Sequence, residues 1–91
     1  MDKDLEIKKL AEECGELIQI CMKLSIWGES NFNPKTEKYN AEAMIEEMGD
    51  VLCHIKRTAT AIGLSWNDIQ KRSSIKNDKV IKYHYNGVDN G

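Results

Sequence analysis

Two short acidic segments of this chain carry the residue types that could do chemistry. The first is Glu12-Glu13-Cys14-Gly15-Glu16, inside AEECGEL. The second is Glu46-Glu47-Met48-Gly49-Asp50, inside IEEMGDV. Both read Glu-Glu-x-Gly followed by an acid, and both interrupt an apolar stretch. On a helix, residues three apart point the same way, so Glu13 pairs with Glu16 and Glu47 with Asp50. Each pair flanks its apolar stripe, and in an antiparallel hairpin the four carboxylates can meet in one cleft. Like charges on one helix face are unfavourable by about 0.2–0.5 kcal/mol per pair even when solvated, and by more when partly buried. A hard divalent cation removes that penalty, and an all-oxygen ligand set suits Mg²⁺ or Mn²⁺. Gly15 and Gly49 each cost about 1 kcal/mol relative to alanine inside a helix. Their matching offsets suggest close approach of another helix or a ligand. His54, four residues after Asp50, can be a ligand, a partner of a ligand, or a polar neighbour.

The elements that must position these acids are legible in the apolar spacing. Ile7, Leu10, Cys14, Leu17, Cys21 and Leu24 recur at three and four, a helix capped by Asp2 or Asp4, with Ile20 on its other side. The stretch from Trp27 to Lys38 holds Gly28 and the sole proline, Pro34, and reads as a loop. A second helix starts at Glu37 or Asn40 and runs to Ile62, striped by Ala41, Met44, Met48, Val51, Ile55 and Ala59, with Gly63 as its stop. In LSWNDI, Ser65 is an N-cap with Asp68 at the third position, so a short third helix starts there and fades near Ser73 or Ser74. The remainder reads as a partly ordered polar tail with a turn at Asn86-Gly87. Residues 1–83 form one domain and 84–91 the tail. The expected architecture is all-α: a helical hairpin plus short helices, whose four-helix-bundle core is completed by dimerisation.

Composition narrows the function classes. The chain has 91 residues and a net charge of −2, with a pI near 5.7, which argues against nucleic acid as the main partner. No apolar run is long enough for a transmembrane helix, and MDKDLEIKK lacks the apolar region of a signal peptide. Cys14, Cys21 and Cys53 form no C-x-x-C pair and read as buried thiols in a reducing, cytoplasmic setting. A di-iron bundle would need a Glu-x-x-His spacing that is missing, and no cysteine has a histidine placed for nucleophilic catalysis.

The ordered pair E-E-x-x-E (Glu12, Glu13, Glu16) and E-x-x-D (Glu47, Asp50), the latter followed by Val51-Leu52, resembles the MazG-like all-alpha nucleoside triphosphate pyrophosphohydrolases. The resemblance covers roughly Leu5 to Tyr83. It implies Mg²⁺-dependent hydrolysis of a nucleoside triphosphate to the monophosphate and pyrophosphate by a homodimer or homotetramer. It further implies Glu13, Glu16, Glu47 and Asp50 as metal ligands. Glu12 would order or deprotonate the attacking water, and Glu46 would act behind the ligands. Trp27 stands where family members often carry a tryptophan beside the base, and the loop residues Asn31, Phe32 and Asn33 lie within reach of it. Lys76, Asn77, Lys79 and Lys82 fall in the segment that meets phosphate. The spacer between the motifs is at the long end of the family's range, and the C-terminal Lys/Asn register does not line up cleanly. A single short copy is unlike the two-domain form and resembles small phage and bacterial members, among them hydrolases of dATP and dGTP. The competing reading is a helical dimer that binds nucleotides or proteins without chemistry.

Overall fold

In the computed structural model, residues 1–85 are described. The chain forms helix α1 (Lys3–Trp27), a two-stranded ribbon β1 (Phe32–Asn33) and β2 (Lys38–Tyr39), helix α2 (Asn40–Ile62) and helix α3 (Trp66–Val80), which continues as one π-helical turn over Ile81–Tyr85. The two long helices pack as an antiparallel hairpin, and α3 touches that hairpin only sparsely.

The helix ends follow local chemistry. Asp2 caps α1 by accepting the Leu5 amide at 3.1 Å, and Ser65 caps α3 by accepting the Asp68 amide at 3.2 Å. Helix α1 stops at Gly28 and α2 at Gly63, both at positive φ (82° and 77°), a conformation in which a Cβ would be strained. Four expectations are corrected. The Trp27–Lys38 stretch is not only loop, because Phe32 pairs with Tyr39 and Asn33 with Lys38 in an antiparallel ribbon. Its turn is held by the Asn33 side chain, which accepts the Lys35 amide at 2.9 Å. The third helix does not fade at Ser73: with no glycine or proline from Leu64 to Tyr85 nothing breaks it, and Lys79 in its last turn faces the negative end of the helix dipole. Asn86-Gly87 lies outside the described residues.

The third correction concerns which face is covered. The α1 seam is Glu6, Leu10, Glu13, Leu17, Ile20 and Leu24, so Ile20 is buried whereas Ile7 and Cys21 are exposed. The α2 seam runs through Asn40, Met44, Glu47, Val51, His54 and Thr58. Polar residues therefore sit inside the helix contact, where reading by hydrophobicity alone places none. Cys21 and Cys53 are exposed and Cys14 half-buried, so the thiols are not the sequestered group expected from their type.

Two polar clasps fix the register. At one end, buried Glu6 receives two hydrogen bonds from Arg57, Nε to Oε2 at 3.0 Å and the terminal nitrogen to Oε1 at 2.8 Å. Thr58 Oγ1 donates to the Glu6 carbonyl at 3.0 Å. At the other, buried Asn40 donates its side-chain amide to the carbonyls of Gly28 at 2.9 Å and Lys23 at 3.4 Å, covering the open C-terminal end of α1. The stretch Glu6 to Lys23 on α1 equals the stretch Asn40 to Arg57 on α2. The pairing thus sets Glu13 across from Asp50 and Glu16 across from Glu47.

Little else is buried. Among the described residues the buried apolar side chains are Ile20, Val51 and Ala59. The radius of gyration is 16.2 Å, against about 12 Å for a compact domain of this length. Ile18, Met22 and Ile26 on α1 and Ile45, Met48 and Leu52 on α2 remain exposed. A Cβ built at Gly15 or Gly49 meets nothing within 4 Å, so the close approach expected there does not come from the described residues of the same chain. Asn40→Ala should destabilise the hairpin by about 1–3 kcal/mol in a denaturant melt, because it removes two part-buried hydrogen bonds to the end of α1. Gly15→Ala should stabilise the isolated chain by about 1 kcal/mol in the same measurement.

Candidate metal and catalytic site

The clasps bring the acidic segments together at mid-seam. One carboxylate oxygen each from Glu13, Glu47 and Asp50 lies within 4.8 Å of the others. Glu13 and Glu47 are half-buried on the seam itself, rather than beside it, while Glu16 and Asp50 line its open edge. Glu13 Oε2 and Glu47 Oε2 are each covered and lack a hydrogen-bond partner, and so is His54 Nδ1. An acceptor buried without a donor is unfavourable.

The electrostatics agree. Burial raises the Glu13 pKa above the ordinary 4.5, and Glu16 and Asp50 push it the same way while His54 opposes them. Burial likewise raises Glu47, followed by the charges of Glu16 and Asp50. Glu16 thus acts on both seam glutamates, although its oxygens stand outside the tightest triad. His54 lies between this cluster and the Glu6 clasp, and its charge lowers both Glu13 and Glu6. The Arg57 hydrogen bonds dominate at Glu6 and hold its pKa below 4.5.

A hard cation fits this donor set. It would meet oxygens only, including two that have no other partner, and it would neutralise the repulsion that raises Glu13 and Glu47. The residues able to hold it are Glu13, Glu47 and Asp50, with Glu16 adjoining.

The other sequence candidates lie apart. Glu12 is turned to solvent and pairs with Lys9 at 3.2 Å. Glu46 pairs with Lys38. Trp27 is exposed at the end of α1, and Asn33 sits half-buried on the ribbon. Lys76, Asn77 and Lys79 stand exposed on α3, away from the hairpin contact. Sequence reasoning missed Glu6, Asn40, Arg57 and Lys38. A signal was present for the first two: Glu6 precedes Glu13 by one heptad, and Asn40, Glu47 and His54 follow one another at heptad spacing, the repeat of a helix seam.

A family model described as the MazG nucleotide pyrophosphohydrolase domain matches residues 3–84. The chain belongs to that family. No curated protein and no solved structure matches it. The MazG match spans nearly all the described residues and includes both acidic segments, the clasps and α3. Among the described residues, no helix is long and apolar enough to cross a membrane.

The folded pKa values of Glu13 and Glu47 lie above the unfolded ones, so between these limits the folded chain binds more protons. The metal-free protein should therefore lose stability as pH rises above 4.5 through that window. Glu6 acts in the opposite sense, and its contribution is lost as pH falls below 4.5. Glu47→Gln should raise the metal-free Tm at pH 7, and Mg²⁺ should raise the Tm of the unaltered protein but not of this variant. Thermal melts with and without Mg²⁺ check both.

Proposed function

We propose that this MazG-family chain is a Mg²⁺-dependent hydrolase that converts a nucleoside or deoxynucleoside triphosphate, a purine deoxynucleotide such as dATP or dGTP among the candidates, to the monophosphate and pyrophosphate. The observation that carries this reading is the pair of covered, partnerless oxygens on Glu13 and Glu47, which come together with Asp50 at mid-seam. Family membership supplies the reaction class.

In the reaction a water oxygen bonds to phosphorus, the α–β anhydride bond breaks, pyrophosphate leaves, and the water's proton goes to a base. Glu13, Glu16, Glu47 and Asp50 would hold the metal. That ion would supply neutralisation of phosphate charge and a more acidic attacking water, and Mn²⁺ would suit the same oxygens. Glu12 is the candidate base, and in this reading it leaves Lys9 and turns toward the site to take the proton. Trp27 and Asn33 are the proposed contacts to the nucleoside. Lys76, Asn77 and Lys79 project from a helix that packs little against the hairpin, so they reach phosphate from a neighbouring copy. The exposed apolar faces of α1 and α2 support a homodimer or homotetramer, in which a second hairpin completes a four-helix bundle. A cytoplasmic location follows from the substrate.

Incubation with each nucleoside and deoxynucleoside triphosphate in Mg²⁺, with products separated by ion exchange, tests the reading. Monophosphate and pyrophosphate should appear and should vanish in Glu47→Ala. Turnover of no triphosphate would instead favour the non-catalytic binding module.

A further inference from the structure

The hairpin gathers carboxylates in its middle, and a triphosphate adds more negative charge. Binding such a substrate calls for a cation at the edge of the cluster. Three cationic side chains pair with acids along that stretch, and one of them, Lys9, holds Glu12 out in solvent. Arg57 is committed: its guanidinium is held at two points by buried Glu6. Lys38 is not. It makes one contact, to Glu46, and both side chains are about half exposed, 41% and 54%.

We propose that Lys38 is a phosphate-binding residue, held beside the metal site by Glu46 until a substrate's phosphates replace that carboxylate. The proposal rests on the hydrolase reading above. Glu42, Glu46 and Asp50 follow one another at i, i+4 along α2, so Glu46 stands one turn, about 5.4 Å, from the candidate ligand Asp50. The ammonium on its flexible four-carbon stem need cover only that step. The charges of Glu42 and Glu47 also act on Lys38, which places it in the field of the cluster.

The ribbon delivers it there. Lys38 pairs with Asn33 across the strands, and Phe32 with Tyr39. Cross-strand partners share a face and successive residues alternate. The face that turns Lys38 toward the acids therefore carries Asn33, and the aromatic pair, with ring centroids 5.1 Å apart, lies on the opposite face. The turn before Lys38 is built rather than loose. The Glu37 amide donates to the Asn33 carbonyl at 2.8 Å, and Glu37 itself sits at φ 58°. An exposed single-point ion pair is weak, so the exchange of Glu46 for a more highly charged phosphate is favourable.

Calorimetric titration with inorganic tripolyphosphate in Mg²⁺, at fixed ionic strength, tests this without turnover. Lys38→Gln should weaken binding about tenfold, the weight of one charge-assisted hydrogen bond. Lys38→Arg should restore most of it, and Glu46→Gln, which frees the lysine, should bind at least as tightly as the unaltered protein. With triphosphate substrate, Lys38→Gln should raise KM and leave kcat near its original value. Tripolyphosphate binding unchanged in Lys38→Gln, or absent in the unaltered protein, overturns the assignment. If the unaltered protein binds tripolyphosphate yet hydrolyses no nucleotide, the hydrolase reading fails and Lys38 is still judged by the titration.

Discussion

Glu13 and Glu47 set the central constraint of this molecule: two carboxylates come together inside a helix contact, each with a covered oxygen that lacks a hydrogen-bond partner. Such an arrangement is unfavourable by itself, since burial and mutual repulsion both oppose ionisation. The hairpin tolerates it because attractive contacts lie on both sides. Glu6 with Arg57 and Thr58 closes one end, and Asn40 on the α1 carbonyls closes the other. By helix rise the clasps are about 25 Å apart, with the acids midway. The apolar contribution is small, three buried side chains among the described residues, so register depends on hydrogen bonds more than on packing.

The outer surface follows from the same economy of burial. A hairpin of two helices has an inner seam and an outer face, and here both are apolar over part of their length. Ile18, Met22 and Ile26 on one helix and Ile45, Met48 and Leu52 on the other are left in water. The exposed glycines beside the acids leave room on that surface. Helix α3 does not cover it, and the flat 41 × 41 × 18 Å shape records this.

The main helices were legible because capping residues, glycine stops and three-four spacing agree with one another. The acidic pairs were legible for a different reason: two copies of one uncommon pattern, each with a glycine, are hard to explain as solvated surface. The exact seam was not. Ile7 and Cys21 are more apolar than Glu6 and Glu13, so a reading by hydrophobicity turned α1 toward the wrong residues. The third helix was legible at its Ser65 cap but its length was not, because its later turns are polar, although nothing in them breaks a helix. The ribbon was missed because two-residue strands leave no alternation to detect. Glu12, Trp27 and the lysines of α3 were named by motif position, which carries no information about where a side chain points in one isolated chain.

The clasped hairpin also governs where this chain can change length. Between Glu6 and Lys23, or between Asn40 and Arg57, one inserted residue rotates everything beyond it by about 100°. Either a clasp opens or the acids cease to face one another, so these stretches admit no insertion or deletion. The ribbon and its turn lie outside both. Asn40 anchors the start of α2 directly on the end of α1, so residues added at the turn loop outward without moving the site. Within the spacer between the two acidic segments, extra length there leaves the geometry of the acids intact.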